Sequence, residues 1–188
     1  MGDIHDSPFR NHNSLLVLAS ASPRRADILR SLGISFQTDP AEVDEEIRPG
    51  ESAERATSRL AAEKAAQVAR RRPEEWILGA DTLVVLDPEP ADNPNPNSQL
   101  TIHKSSPLIL GKPRDDAEAA EMLRRLSGRM HRVVTAVRLC RGAESGQEIV
   151  DTSRVRFARL SEEEIRWYVG SGEPRGKAGA YAVQGLGG

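Results

Sequence analysis

The chain has 188 residues, with 26 Lys and Arg against 28 Asp and Glu for a formal charge of -2; this suffices for one domain with a sizeable core and falls short of two ordinary ones. The near-balance of charge excludes the broad basic surface that drives non-specific nucleic-acid binding, so any phosphate recognition is local. The single cysteine, Cys140, excludes an internal disulfide and points to a reducing compartment.

Residues 1–13 are polar, with Asp3, Asp6 and Pro8 and no apolar centre. They read as a disordered leader rather than a secretory signal or a membrane anchor. No stretch approaches the ~20 apolar residues needed to span a bilayer, and the expected location is the cytoplasm. The apolar run Leu15–Leu18 predicts a strand that breaks at once into Ala19-Ser20-Ala21-Ser22-Pro23-Arg24-Arg25. Ser22 suits a helix N-cap and Pro23 the first helical position. The helix carries Ile28, Leu29 and Leu32 on its apolar face and stops at Gly33. Unpaired amides and the positive end of the helix dipole then face the same space as Arg24 and Arg25, as an anion site requires. Arginines near a helix start are common, so this segment alone leaves a phosphate site and a solvated turn equally open.

A short strand is expected at Ile34–Phe36, then an acidic loop, Glu42 to Glu46. Helical spacing from Ser52 to about Arg71, between Pro49-Gly50 and Pro73, marks a long helix whose Arg59, Glu63 and Lys64 look exposed, with Glu63 able to pair with Arg59 or Gln67. Residues 76–86 read as a nearly continuous apolar strand, the pattern of a strand covered on both faces. Asp81 in its middle requires a cation, a hydrogen-bond network or a chemical task. Residues 87–108, rich in Pro, Asn and Ser, cannot build a core and are expected as a surface excursion. Order resumes at Leu110, followed by a helix from about Asp115 to Leu126 that ends at Ser127-Gly128. Arg132–Leu139 and Ile149–Phe157 alternate as two paired strands, and Ser161 with Glu164 forms a capping box for a helix through Tyr168. Cys140 ends an apolar alternating run and reads as a packed thiol. His131, at a strand entry, reads as structural.

Several blocks together resemble the Maf family of nucleoside triphosphate pyrophosphatases: Leu18 to Arg25, Val43-Asp44-Glu45, Glu63-Lys64-Ala65, Gly79-Ala80-Asp81-Thr82, Gly111-Lys112-Pro113, Leu126 to Arg129, and Lys177 to Tyr181 with Gln184-Gly185. The resemblance runs over residues 15–188 and omits only the leader and the Pro/Asn-rich insertion. It implies a single Maf-like domain over 14–188 with an α/β fold similar to that of the inosine triphosphatase group, a mixed twisted sheet flanked by helices with a cleft between two lobes. It also implies cleavage of a nucleoside triphosphate between the α and β phosphates with a divalent metal, Mg²⁺ foremost and Mn²⁺ or Co²⁺ as substitutes.

Phosphoryl transfer depends on positioned cations and an oriented water, and Mg²⁺ takes one or two carboxylates with phosphate oxygens and waters. The resemblance therefore assigns Glu45 and Asp81 to the metal, with Asp81 also activating the attacking water. By itself the acidic loop holding Glu45 reads as merely solvated, and Glu42, Asp44 and Glu46 keep that reading. Lys64 and Lys112 are expected on phosphate oxygens, with Arg24 and Arg25 beside Ser20 and Ser22 as forked donors. In isolation Lys64 is a helix-surface lysine. Thr82, Lys177 and Gln184 complete the substrate residues. Pro-Arg-Arg, Ala-Asp-Thr and a glutamine before glycine mark the branch associated with dTTP and UTP, and Gln184 can both donate and accept along a pyrimidine edge.

Two departures from the family pattern stand out. Gly176 occupies the place of an aspartate before Lys177, and the family's further strand and helical material past the Gln-Gly segment is missing from the sequence. These leave a second class of function open, a nucleotide-binding or regulatory protein linked to cell-division control that turns over poorly. A nucleic-acid-binding module is disfavoured by the charge balance and by an aromatic content of 4%. A homodimer without nucleic-acid or membrane partners is the expected assembly.

Overall fold

The computed structural model describes residues 15–88, 106–142 and 146–188. The expected leader and most of the 87–108 insertion lie outside the described residues. Eleven elements follow in chain order: β1 (Leu16–Leu18), α1 (Pro23–Ser31), β2 (Phe36–Thr38), α2 (Ala53–Arg71), β3 (Trp76–Leu86), β4 (Leu108–Leu110), α3 (Asp116–Leu126), β5 (Met130–Arg141), β6 (Gln147–Arg156), α4 (Glu162–Gly170) and a 3-10 turn, Ala178–Ala180. The six described strands form one mixed sheet in the order β2-β1-β3-β5-β6, with β4 also on β3. β1 runs parallel to β2 and β3, whereas β4 is antiparallel to β3, Val84 standing opposite Leu110. The described residues pack as two units, 15–81 with 136–142 and 146–150, and 82–88 with 106–135 and 151–188, so that β3, β5 and β6 each contribute residues to both.

In the first unit α2 presents Ala65, Val68 and Ala69 to Val17, Ala19, Ile77 and Cys140. Small side chains let this helix approach β3 closely. A Cβ placed on Gly79 would meet Ala65 Cβ and N at 2.8 Å, with the Ala61 carbonyl oxygen nearer still. α1 lays Ala26 and Leu29 on Leu16 and Leu18, with Phe36, Trp76 and Leu78 packed around them. This corrects the expected apolar face: Ile28 and Leu32 are 53% and 66% exposed. A helix starting at Pro23 turns by about 100° per residue, which sets Ile28 on the far side from Ala26. β2 also begins two residues later than expected. Gly33, at φ 69°, closes α1 with Gly33 N–H on Arg30 O and Ile34 N–H on Leu29 O, so Ile34 still belongs to the helix end. Ser22 stands at the N-cap of α1, but its side chain makes no capping bond.

The second unit packs Val84, Leu86 and Leu110 against Ala119, Met122, Leu123 and Leu126 of α3, spaced i, i+3, i+4 and i+7, and against Ile165, Tyr168, Ala180 and Tyr181. Both helices are capped: Asp115 accepts from Glu118 N–H at 2.7 Å, and Ser161 and Glu164 form the full capping box that the sequence implies. The structured part of this region starts earlier than expected, because Leu108 and Ile109 already pair with β3. His131 is 1% exposed, hydrogen-bonded through Nε2 to the Tyr181 hydroxyl at 2.7 Å and set edge-on to the Phe157 and Tyr181 rings. It is a core residue, as the sequence suggests. Cys140 is a buried thiol, and burial pushes its pKa up.

Candidate active site

The first unit gathers Ser20, Ser22, Arg25, Glu45, Lys64 and Asp81. β1 ends at Leu18, and Ser20 in the following turn is buried. Its hydroxyl oxygen accepts from Ser22 N–H at 3.2 Å and from Arg25 Nη1 at 3.0 Å. Arg25 Nη1 also donates to the carbonyl of Ala80 at 2.9 Å, which carries the guanidinium from α1 to the residue before Asp81. Arg24, its neighbour on α1, is half-buried.

Asp81 lies in the middle of β3 and is 4% exposed. Lys64 projects from the face of α2 that holds Ala61 and Ala65, and it is buried rather than exposed, which corrects the sequence reading. Its ammonium donates to Asp81 Oδ1 at 2.6 Å and to Glu45 Oε1 at 2.7 Å. Glu45 reaches this point from the irregular loop between β2 and α2, its side chain 37% exposed. One carboxylate is thus enclosed and the other borders solvent, with the Lys64 ammonium bridging both. The second oxygen of the enclosed carboxylate, Asp81 Oδ2, is buried and has no hydrogen-bond partner among the described residues. Burial holds the Asp81 carboxyl above the ordinary carboxylate range, against the pull of Lys64 and Arg25. Burial likewise lowers the Arg25 pKa, opposed by Asp81 and Glu45.

The remaining candidates fall in the second unit. Thr82 Oγ1 is 3.2 Å from Thr135 Oγ1. Lys112 is exposed on the segment after β4, and Gly111 O in that segment accepts from Gly179 N–H at 3.0 Å. That bond joins the Gly-Lys-Pro segment to the Lys-Ala-Gly segment. Gly179 can take this place because a Cβ there would fall 2.7 Å from Val84 Cγ2. Lys177 Nζ donates to the carbonyl of Glu173. Gln184 is exposed in the turn after Ala182.

A family model described as Maf-like protein matches residues 15–188. The chain belongs to this family. Among its Maf-like relatives, a dTTP/UTP pyrophosphatase of Myxococcus xanthus is 48% identical over 93% of this chain and 79% of its own. A dTTP/UTP pyrophosphatase of Syntrophotalea carbinolica is 42% identical over 100% of this chain and 77% of its own. The solved structure of a HAM1 protein from Coxiella burnetii superposes with a TM-score of 0.44 at 16% identity, over 78% of this chain and 74% of that one, a likeness too loose to build on.

The arrangement in this Maf-like chain suits a hard divalent cation. The partnerless buried oxygen of Asp81 and the carboxylate of Glu45 on the same lysine supply the oxygen donors that Mg²⁺ takes. No third Asp, Glu, His or Cys joins them into a larger cluster among the described residues.

Three participants were not singled out for the site from the sequence. Gln67, Arg59 and Glu51 fasten the loop that carries Glu45 to α2. Arg59 was read as exposed, yet its side chain is 14% accessible because this loop folds over it. The only hint available was the i, i+4 spacing of Arg59 and Glu63, which do pair at 3.2 Å.

Proposed function

We propose that the chain is a nucleoside triphosphate pyrophosphatase that hydrolyses dTTP and UTP to the monophosphate and pyrophosphate. The observation that carries this reading is the Lys64 ammonium held between Glu45 and Asp81, with the buried Asp81 Oδ2 left without a partner among the described residues. The relatives' printed activity and the match over residues 15–188 support it.

Glu45 and Asp81 would hold a divalent cation, Mg²⁺ foremost, which supplies charge neutralisation on the triphosphate and acidifies bound water. Asp81 orients the attacking water and takes its proton. The water oxygen bonds to the α phosphorus as the bridging bond to the β phosphate breaks, and pyrophosphate leaves with the bridging oxygen. Lys64 and Lys112 place point charges on phosphate oxygens, and Arg24 and Arg25 offer planar donors beside Ser20 and Ser22. Arg25, anchored on Ser20 and Ala80, shapes the turn as well as adding charge. Thr82, Lys177 and Gln184 contact the nucleotide, Gln184 at the base edge. Among the described residues no helix is long and apolar enough to cross a membrane. The same reading takes the enzyme to work in the cytoplasm, where a buried Cys140 stays reduced, and as a homodimer, which light scattering tests.

The experiment incubates the purified chain with dTTP, UTP and Mg²⁺ and measures pyrophosphate. Asp81→Asn keeps the shape and removes the carboxylate, and the rate is expected to fall about 100- to 10,000-fold. Tight nucleotide binding without pyrophosphate release in the unaltered chain refutes turnover and favours the regulatory alternative.

A further inference from the structure

The loop from Asp39 to Glu51 runs along α2 in the opposite direction and is gripped at successive turns of one helix face. Arg71 and Arg72 hold the Asp39 carboxylate. Gln67 accepts from Glu42 N–H and donates to Glu42 O, both at 2.7 Å, in the manner of a strand partner. Lys64 holds Glu45. One turn further back, Arg59 Nη2 donates to the backbone carbonyl of Glu46 at 3.0 Å, its Nε and Nη2 form a fork on Glu51 at 2.8 and 2.8 Å, and Nη1 reaches Glu63 at 3.2 Å.

These contacts differ in their resistance to solvent. Arg71, on Asp39, and Arg48, which pairs with Glu63 at 3.1 Å, are 44% and 64% exposed, and exposed pairs contribute little. Arg59 and Glu51 are 14% and 11% exposed, and their contact is bidentate, the arrangement in which an arginine pair fixes geometry. The backbone is thereby fixed at Glu42 by Gln67 and at Glu46 by Arg59, on both sides of Glu45. The Glu45 side chain is 37% exposed on an irregular loop, so where its carboxylate stands depends on where that backbone is fixed.

We infer that Arg59 is a positioning residue: by clamping Glu46 and Glu51 it sets where the Glu45 carboxylate stands and so controls divalent-cation affinity, without touching the nucleotide. This inference rests on the reading of Glu45 and Asp81 as the cation-binding pair.

The test measures Mn²⁺ binding to the full chain without nucleotide, by electron paramagnetic resonance, for the unaltered protein, Arg59→Lys and Glu51→Gln. Lysine keeps the charge but cannot donate in a fork, so Arg59→Lys separates geometry from electrostatics. Both variants are expected to bind Mn²⁺ about 10- to 100-fold more weakly, the usual cost of losing the partner behind a metal ligand. The Mg²⁺ concentration for half-maximal rate should rise by the same factor, while kcat at saturating Mg²⁺ falls far less. Arg124→Gln breaks a bidentate pair with Glu162 that touches none of these residues, and it should leave Mn²⁺ affinity unchanged. Melting curves verify folding, and Gln67→Ala, which releases Glu42 without altering charge, gives an uncharged variant expected to shift affinity in the same direction. Unaltered protein that binds Mn²⁺ no better than Arg59→Lys and Glu51→Gln overturns the role of Arg59 alone. Unaltered protein that binds no Mn²⁺ overturns it together with the cation reading.

Discussion

Replacing Gly79 by alanine tests how closely helix and strand must approach for the site to exist. The added Cβ would lie 2.8 Å from Ala65 Cβ and N, more than half an ångström inside the roughly 3.5 Å at which carbon atoms begin to rest against each other. Both obstacles belong to the backbone or to a Cβ, so no side-chain rotation relieves them. α2 must lift from β3, or β3 must bend. Overpacking of this kind costs about 1–3 kcal/mol, and a backbone obstacle places Gly79→Ala at about 3 kcal/mol. For a chain of this length the melting temperature falls by roughly 2–4 °C per kcal/mol, a drop of roughly 6–12 °C. The same lift acts on the Lys64–Asp81 contact, since Lys64 follows Ala61 by three residues on the moving face. From 2.6 Å, a lift of about 1 Å takes that pair beyond hydrogen-bonding distance, and displacements of about 1 Å at a reacting centre cost on the order of 100-fold in rate. The assay pairs a thermal melt with pyrophosphate release from dTTP. Gly170→Ala is the control: beyond its chain neighbours and its own helix backbone, no atom of the described residues lies within 4 Å of the new Cβ, so stability should hold or rise slightly. A Gly79→Ala protein that melts within a degree or two of the original and turns over at the original rate refutes the close-approach argument.

Two further outcomes follow from Glu51 and Gln184. The fork from Arg59 holds Glu51 down to about 2 from its ordinary value of 4.5, so the unfolded chain takes up this proton first and stability falls as pH drops from about 4.5 toward 2. Denaturant titrations at pH 5 and pH 3 should show a smaller loss in Glu51→Gln than in the original, and equal losses would exclude a role for this carboxylate in acid sensitivity. Gln184→Ala should lower the ratio of kcat/KM for dTTP over dGTP by about 10-fold while slowing turnover less, and an unchanged ratio removes Gln184 from base recognition.

Helices whose ends carry their own chemistry were legible in the sequence. α4 opens on Ser161 with Glu164, and that capping box is made as the sequence implies, while α2 and α3 begin beside Ser52 and Asp115, where the sequence places their starts. β3 was legible because its apolar run is nearly unbroken, and Asp81 stood out within it for the same reason. α1 was harder. Its nine residues offer too few turns to fix a phase, so Ile28 and Leu32 were placed inward when the short side chain of Ala26 marks the buried stripe. β4 was hidden because three residues beside a Pro/Asn-rich stretch carry no alternation of their own; pairing with β3 makes them a strand.

Arg59 and Lys64 show why the burial of two helix cations was not legible. On a helix, polar residues read as the solvent face, and local pattern alone does not disclose that an acidic loop will cover them. What the sequence does contain is the complement: Ala61 and Ala65 on α2 and Gly79 on β3 leave room for close approach, and Asp81 waits two residues beyond that glycine. Each of these small residues is a poor choice for burying apolar area, and a buried Lys–Asp pair is weak evidence of stability because desolvation offsets much of its attraction. A contact designed only to hold helix to strand would use larger apolar side chains. The combination of lost burial with a carboxyl forced above its ordinary range marks Asp81 as the candidate for the chemistry proposed above, and apolar packing here comes from Val17, Val68 and Ile77 beside it.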